Sequence, residues 1–148
     1  MKIVLQRVTS ANVSVNNKIV GAISQGLLLL IGIENTDDEK DANWLAKKII
    51  DLRVFSDENG KMNFSIKDIG GEILCISQFT LLADYKKGNR PSYIKAAKPE
   101  IAIPILEYFK NELSKSNLKI ESGIFGADMK VSLLNDGPVT IVMDSKTQ

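Results

Sequence analysis

Near the end of this chain a Gly-Pro pair stands between two apolar runs: residues 131–134, then Asn135-Asp136-Gly137-Pro138, then residues 139–143. Gly-Pro between strands is unusual, because proline brings no N–H to a β ladder and restricts the residue before it. A plain hairpin would be served better by Asn-Gly alone. Two readings fit: a turn joining two strands, or a rigid, exposed backbone element that tests the shape of a ligand. The second gains weight from Ser77-Gln78-Phe79-Thr80-Leu81, which sets polar groups at the end of the apolar strand 73–76.

The rest of the chain supplies strands and two helices. Ile3, Leu5, Val8, Val13 and Val15 alternate over residues 2–15, the pattern of one long or bent strand. Asn16-Asn17 turns the chain into a return strand at 18–23, and Gln25-Gly26 turns it again into the apolar strand 27–33. Short connections of this kind suggest an antiparallel meander. Thr36 and Glu39 resemble a capping box for a helix whose apolar stripe is Ala42, Leu45, Ala46, Ile49 and Ile50. Residues 55–71 are irregular, with a turn at Asp57-Glu58-Asn59-Gly60, and a central strand at 72–82 carries the Ser77–Leu81 segment. A second helix has a buried stripe of Ile101, Ala102, Ile105, Leu106, Phe109 and Leu113; it begins near Ala102 or kinks at Pro104, and Asn117 ends it. Strands at 118–122, 129–134 and 139–143 complete the chain. Strand runs with two inserted helices predict an α+β fold: one domain over residues 1–148, with a curved, partly barrel-like, antiparallel-rich sheet and two main helices.

Absences narrow the chemistry. The 148 residues contain no histidine and one cysteine, Cys75, within an apolar strand. That excludes Ser-His-Asp and Cys-His hydrolases of the usual kind, and zinc sites built on histidine or several thiolates. No metal or cofactor is expected, and Cys75 reads as a buried, inert thiol. No apolar run reaches the ~18 residues that span a bilayer, and no signal-peptide pattern opens the chain, so a cytoplasmic location is expected. The net charge of +1 gives no global case for nucleic acid. Locally the balance differs: Lys86, Lys87, Arg90, Lys95 and Lys98 occupy residues 86–98 with no acid among them. This is a solvated loop or a phosphate-contacting patch, and its place just after Thr80 favours the patch.

Ser77-Gln78-Phe79-Thr80 and Asn135-Asp136-Gly137-Pro138-Val139-Thr140 resemble the two signature motifs of the D-aminoacyl-tRNA deacylases. The opening residues 1–8, the Gly88-Asn89-Arg90-Pro91-Ser92 loop and Phe125-Gly126-Ala127-Asp128-Met129 also sit where that family has them. The likeness covers essentially the whole chain. It implies the same type of fold and a homodimeric hydrolase that cleaves the ester between a D-amino acid and its tRNA. In such a dimer a cis Gly137–Pro138 bond reaches into the partner's site, and its carbonyls hold the α-ammonium while leaving no space for an L side chain. Glycyl-tRNA mischarged on a non-cognate tRNA would also be accepted, since glycine has no side chain to exclude. The resemblance further implies that Arg7 braces the Gly-Pro segment, that Phe125 and Met129 line an adenosine pocket, and that Asn135 and Thr140 cap the turn. Asp136 receives no role.

The motif residues also have a reading of their own. Phe79 is a core residue or a platform for adenine, and Gln78 reaches a base edge or ribose. Ser77 and Thr80 offer hydroxyls. Thr80 has no visible base to activate it, so positioning or oxyanion stabilisation suits it better than nucleophilic attack. The missing chemistry is available from the terminal ribose, whose 2′-hydroxyl lies within reach of the ester and of an attacking water. Two readings compete: a non-catalytic module that binds RNA ends through Phe79 and the Lys/Arg groups, which ester turnover separates from the deacylase, and a small-molecule enzyme or structural oligomer in which Gly137-Pro138 is merely a turn, which Gly137→Ala separates.

Overall fold

The structure, a computed structural model, describes residues 1–147. Eight strands are present: β1 (Lys2–Val15), β2 (Lys18–Ile23), β3 (Gly26–Gly32), β4 (Phe55–Ser56), β5 (Met62–Phe64), β6 (Glu72–Ser77), β7 (Ile120–Ser122) and β8 (Lys130–Asp144). Two helices join them, α1 (Glu39–Asp51) and α2 (Pro99–Ser114).

β1 is the axis of the main sheet. Leu5 pairs with Leu29 of β3 on one edge and Ile141 of β8 on the other; Val13 pairs likewise with Gly21 of β2 and Val131 of β8. β2 and β3 therefore share one edge of β1, and β8 runs along the opposite edge. The three opening strands are not a sequential meander: β3 returns to β1 rather than to β2. β6 then adds parallel to β3, and β7 parallel to β6, which makes the sheet mixed. It curls until it nearly closes into a barrel. Lys119 Nζ, just before β7, donates to Ala22 O in β2 at 2.9 Å, and a Cβ on Gly21 would stand 2.9 Å from Ser122 O.

The curl explains why two strands lack alternation. Leu27, Leu29, Ile31, Ile73 and Cys75 pack with α1 and α2, while Leu28, Leu74 and Ile76 pack with Val8, Ala11 and Val13 in a second cluster. With both faces buried, the central positions of these strands, 27–31 and 73–76, are all apolar. The helices cover one face through Ala42, Leu45, Ala46 and Ile49 of α1 and Ala102, Leu106, Phe109 and Leu113 of α2. Ile101 departs from the expected stripe and is exposed. α2 begins at Pro99, where the missing N–H costs nothing, and contains Pro104 in its body. The cap of α1 is Asp38, not Thr36: its side chain accepts from the Lys40 and Asp41 N–H groups, and Asp41 returns the bond to Asp38 N–H. Asp bonds an orphan amide as well as Thr does, so the box shifts by two residues.

The largest correction concerns the C-terminal strands. The expected strands 129–134 and 139–143 are not two strands around a turn; residues 130–134 and 139–143 belong to one 15-residue strand, β8, and Met129 lies just before it. Gly137–Pro138 lies in its middle, where the pairing with β1 shifts register between Gln6 and Val8 and again between Val8 and Ser10. The irregularity spares Pro138 a ladder bond it could not make. The Gly137–Pro138 bond is cis. The expected strand 72–82 likewise stops at Ser77, and Phe79–Leu82 forms one turn of 3-10 helix.

Candidate functional site

Ser77 ends β6, and the chain bends at once. Gln78 N–H donates to Ile31 O at 2.7 Å, and Leu81 N–H donates back to Gln78 O, which winds the turn. Gly32 makes the bend possible: a Cβ there would lie 3.1 Å from Leu81 Cβ and 3.2 Å from Gln78 O. The bend leaves Phe79 outward, 54% exposed. Its ring meets Tyr93 edge to face, with centroids 5.0 Å apart at 74°. Gln78 Nε2 donates a short hydrogen bond to Thr80 Oγ.

Behind Phe79 is a cavity of about 340 Å³ lined by Ser77, Phe79, Phe125 and Met129, with Ala96, Ala97 and Pro99 opposite. Four sequence-predicted residues thus converge, although they come from two separated segments, 77–79 and 125–129. Gly123 seats Met129: a Cβ at 123 would fall 2.4 Å from its sulfur. The size and apolar lining suit a small-molecule or nucleoside moiety. Ala96, Ala97, Pro99 and Tyr93 had no signal in the sequence, since each is an ordinary residue brought in only by the path of the 84–98 loop. That path is fixed by paired backbone hydrogen bonds of Asp84 and Ser92, 2.8 Å each, and by Ala97 N–H to Ile33 O at 2.8 Å.

Gly137 and Pro138 do not line this cavity. They are exposed on β8 and held from below by Arg7, which is only 7% exposed rather than a surface group at a strand edge. Arg7 Nη1 donates to Val54 O at 2.5 Å and its Nε to Asp136 O at 3.2 Å, and Nε also pairs with Asp136 Oδ2 at 2.9 Å. Asp136, unassigned from sequence, is thus the residue Arg7 grips. Asn135 Nδ2 donates to Arg7 O at 3.0 Å and Val139 O at 3.1 Å, and Thr140 Oγ accepts from Gln6 Nε2 at 3.2 Å. Asn135 and Thr140 therefore stitch β8 to β1 instead of capping a turn. A Cβ on Gly137 would meet only Asn135 Oδ1, at 3.6 Å.

The cations gather on the loop beyond Phe79. Lys86, Lys87 and Arg90 line a cavity of about 240 Å³ with Asp84 and Ser92. Cys75 is buried, and burial pushes its thiol up to about 12, so it is not ionised near neutral pH. Among the described residues no cluster of His, Cys, Asp or Glu is arranged to hold a metal, and no helix is long and apolar enough to cross a membrane.

A small α+β domain that pairs an apolar, aromatic-edged cavity with a braced Gly-Pro element defines a class of protein, and comparison with known proteins says which. The family described as D-Tyr-tRNA(Tyr) deacylase matches residues 4–144, and the chain belongs to it. It is 60% identical to the D-aminoacyl-tRNA deacylase of Flavobacterium psychrophilum, over 100% of this chain and 99% of that one, and 58% identical to its counterpart in Bacteroides thetaiotaomicron over the same shares. A solved structure titled c-Myc DNA Unwinding Element Binding Protein superposes with a TM-score of 0.90 at 43% identity, covering 97% of this chain and 98% of that one. A probable eukaryotic D-amino acid tRNA deacylase shares the fold alone, with a TM-score of 0.81 at 15% identity over 96% of this chain and 97% of that one.

Proposed function

We propose that this protein removes D-amino acids from tRNA by a substrate-assisted hydrolysis filtered through Gly137–Pro138. The family and the full-length relatives make it a D-aminoacyl-tRNA deacylase, a hydrolase of the aminoacyl-tRNA ester bond. The observation that carries the finer reading is the convergence of Ser77, Phe79, Phe125 and Met129 on one cavity beside Thr80. In this reading the terminal adenosine fills the cavity, with Phe79 against the base and Gln78 near the ribose. Thr80 positions rather than attacks: its hydroxyl accepts a hydrogen bond from the Gln78 side-chain amide, which cannot act as a base. The ribose 2′-hydroxyl handles the proton, and the protein contributes placement and N–H donors around the developing oxyanion.

The Gly137–Pro138 carbonyls, supplied by a second copy, hold the substrate ammonium and exclude an L side chain by steric clash. Support for the homodimer comes from β8, which among the described residues pairs only with β1 and leaves Leu133, Leu134 and Val142 exposed along a long strand. Lys86, Lys87 and Arg90 contact tRNA phosphates. Glycine, lacking a side chain to exclude, passes the filter, so glycyl-tRNA mischarged on a non-cognate tRNA is also a substrate. A cytoplasmic location fits this reading; no helix among the described residues is long and apolar enough to cross a membrane.

Two charged tRNAs test this. Purified protein is incubated with matched D-Tyr-tRNA and L-Tyr-tRNA, and loss of the ester is followed. The D form alone is hydrolysed, and Gly137→Ala erodes that preference. The added methyl makes only an ordinary contact within the chain, 3.6 Å to Asn135 Oδ1, so retention of full D-over-L selectivity in this variant removes the steric filter. The second reading is an RNA-end-binding module without turnover, favoured by the amide, rather than a base, that bonds Thr80 and by the nucleic-acid-binding name of the 43%-identical structure. Binding of tRNA with loss of neither ester selects it.

A further inference from the structure

The loop that follows Phe79 carries groups that a terminal adenosine does not use. Tyr85 is 75% exposed, next to Lys86 and Lys87, and with Lys95 it borders a hollow of about 230 Å³. Lys86, Lys87 and Arg90 make no ion pair among the described residues, whereas Lys110, Lys115, Lys119, Lys130 and Lys146 all do. Nearby acids are Asp84, whose Oδ1 is bonded to Lys86 N–H at 3.0 Å, and Glu34, 3.9 Å from Lys2 Nζ. The loop is nevertheless fixed in place. Its base is closed by the Asp84–Ser92 backbone pair, and Tyr93, next to Ser92, touches Phe79. An unbroken set of contacts therefore runs from the adenosine cavity through Tyr93 and Ser92 to Asp84 and Tyr85.

An exposed aromatic ring flanked by unpaired cations, continuous with a nucleoside cavity, is the equipment for holding single-stranded RNA: the ring stacks a base of any identity and the cations take its phosphates. We propose that Tyr85, with Lys86, Lys87 and Arg90, forms a second subsite that binds the single-stranded nucleotides immediately 5′ of the terminal adenosine. This rests on the placement of that adenosine against Phe79. Because stacking is indifferent to sequence, the subsite serves every tRNA end alike and selects a single-stranded end over a free nucleoside.

The test uses full-length protein and two uncharged probes, the trinucleotide 5′-CCA and adenosine, with equilibrium binding measured for each. The wild type binds CCA more tightly than adenosine, and Tyr85→Ala lowers the CCA-to-adenosine affinity ratio roughly tenfold. Neutralising Lys86, Lys87 and Arg90 together flattens the salt dependence of CCA binding. Equal affinities of the wild type for both probes overturn the subsite, as does a parallel loss of both in Tyr85→Ala. An unchanged ratio accompanied by a shift to monomer in sedimentation assigns the loop to subunit contact and also overturns it. Hydrolysis of D-Tyr-tRNA, measured on the same preparation, reports separately on the deacylase reading: a preparation that binds CCA over adenosine through Tyr85 yet leaves the ester intact keeps the subsite and loses the reaction.

Discussion

Arg7 holds Asp136 twice, by charge at 2.9 Å from Nε to Oδ2 and by a hydrogen bond to the Asp136 carbonyl at 3.2 Å. Its remaining reach goes to Val54 O, so one guanidinium ties the residue before Gly137 to the segment that leads into β4. Arg7→Ala leaves these acceptors without their donor. It lowers stability by about 2 kcal/mol in urea unfolding and loosens the D-over-L preference. Arg7→Lys recovers stability in part but not selectivity, because an ammonium cannot span both directions with the geometry of a fork. Unchanged selectivity in Arg7→Ala would separate the brace from the filter.

Gly32 controls the Phe79 turn from outside the motif. Gly32→Ala places a methyl 3.1 Å from Leu81 Cβ and 3.2 Å from the Gln78 carbonyl. Both neighbours belong to the turn, so relief comes only by moving it. The variant is destabilised by about 1–3 kcal/mol, and its kcat/KM for D-Tyr-tRNA falls. A loss of stability with normal kcat/KM would show that the turn tolerates the displacement.

The hydrogen bond that the Gln78 side-chain amide donates to Thr80 Oγ sets the expectation for the reaction step. Thr80→Ala retains activity within about tenfold of the wild type, the effect of losing a positioning group rather than the reacting one. A tRNA ending in 2′-deoxyadenosine and charged on its 3′-oxygen is bound but hydrolysed at least about a hundredfold more slowly. Near-total loss in Thr80→Ala with normal turnover of the deoxy substrate would reverse the two roles.

Asp41 makes stability sensitive to acid. Burial works to raise its carboxyl, but hydrogen bonds from Lys146, Ser145 and the Asp38 N–H, with the Lys146 charge, outweigh it and hold the group down to about 2 from 3.8. A carboxyl lowered in the folded state contributes stability that is complete above its unfolded value and lost as pH falls through the window from 3.8 towards 2. Lys146 Nζ lies 2.8 Å from Asp41 Oδ2 and 3.2 Å from Asp37 Oδ1. Lys146→Met therefore moves the midpoint of acid unfolding, followed by circular dichroism, to higher pH. An unmoved midpoint would mean that the Asp38 and Ser145 hydrogen bonds suffice.

Local chemistry wrote much of this protein directly into its sequence. The apolar stripes of α1 and α2, the turn at Asn16-Asn17 and the unbroken apolar runs of β3 and β6 follow from spacing and side-chain type, because a residue's periodicity records which face it buries. The absence of histidine confined the reaction to groups other than the usual triad, and the two motifs marked Ser77, Gln78, Phe79, Thr80, Gly137 and Pro138 before any neighbour was known. What periodicity cannot record is which strand lies beside which. The return of β3 to β1, the parallel addition of β6 and β7, and the continuity of β8 through Pro138 depend on pairings between distant residues, and long-range closure alone selects them. The same holds for the site: Ala96, Ala97, Pro99 and Tyr93 acquire a role only because the 84–98 loop is pinned against Phe79, and Asp136 only because Arg7, more than a hundred residues earlier in the chain, pairs with it across the sheet.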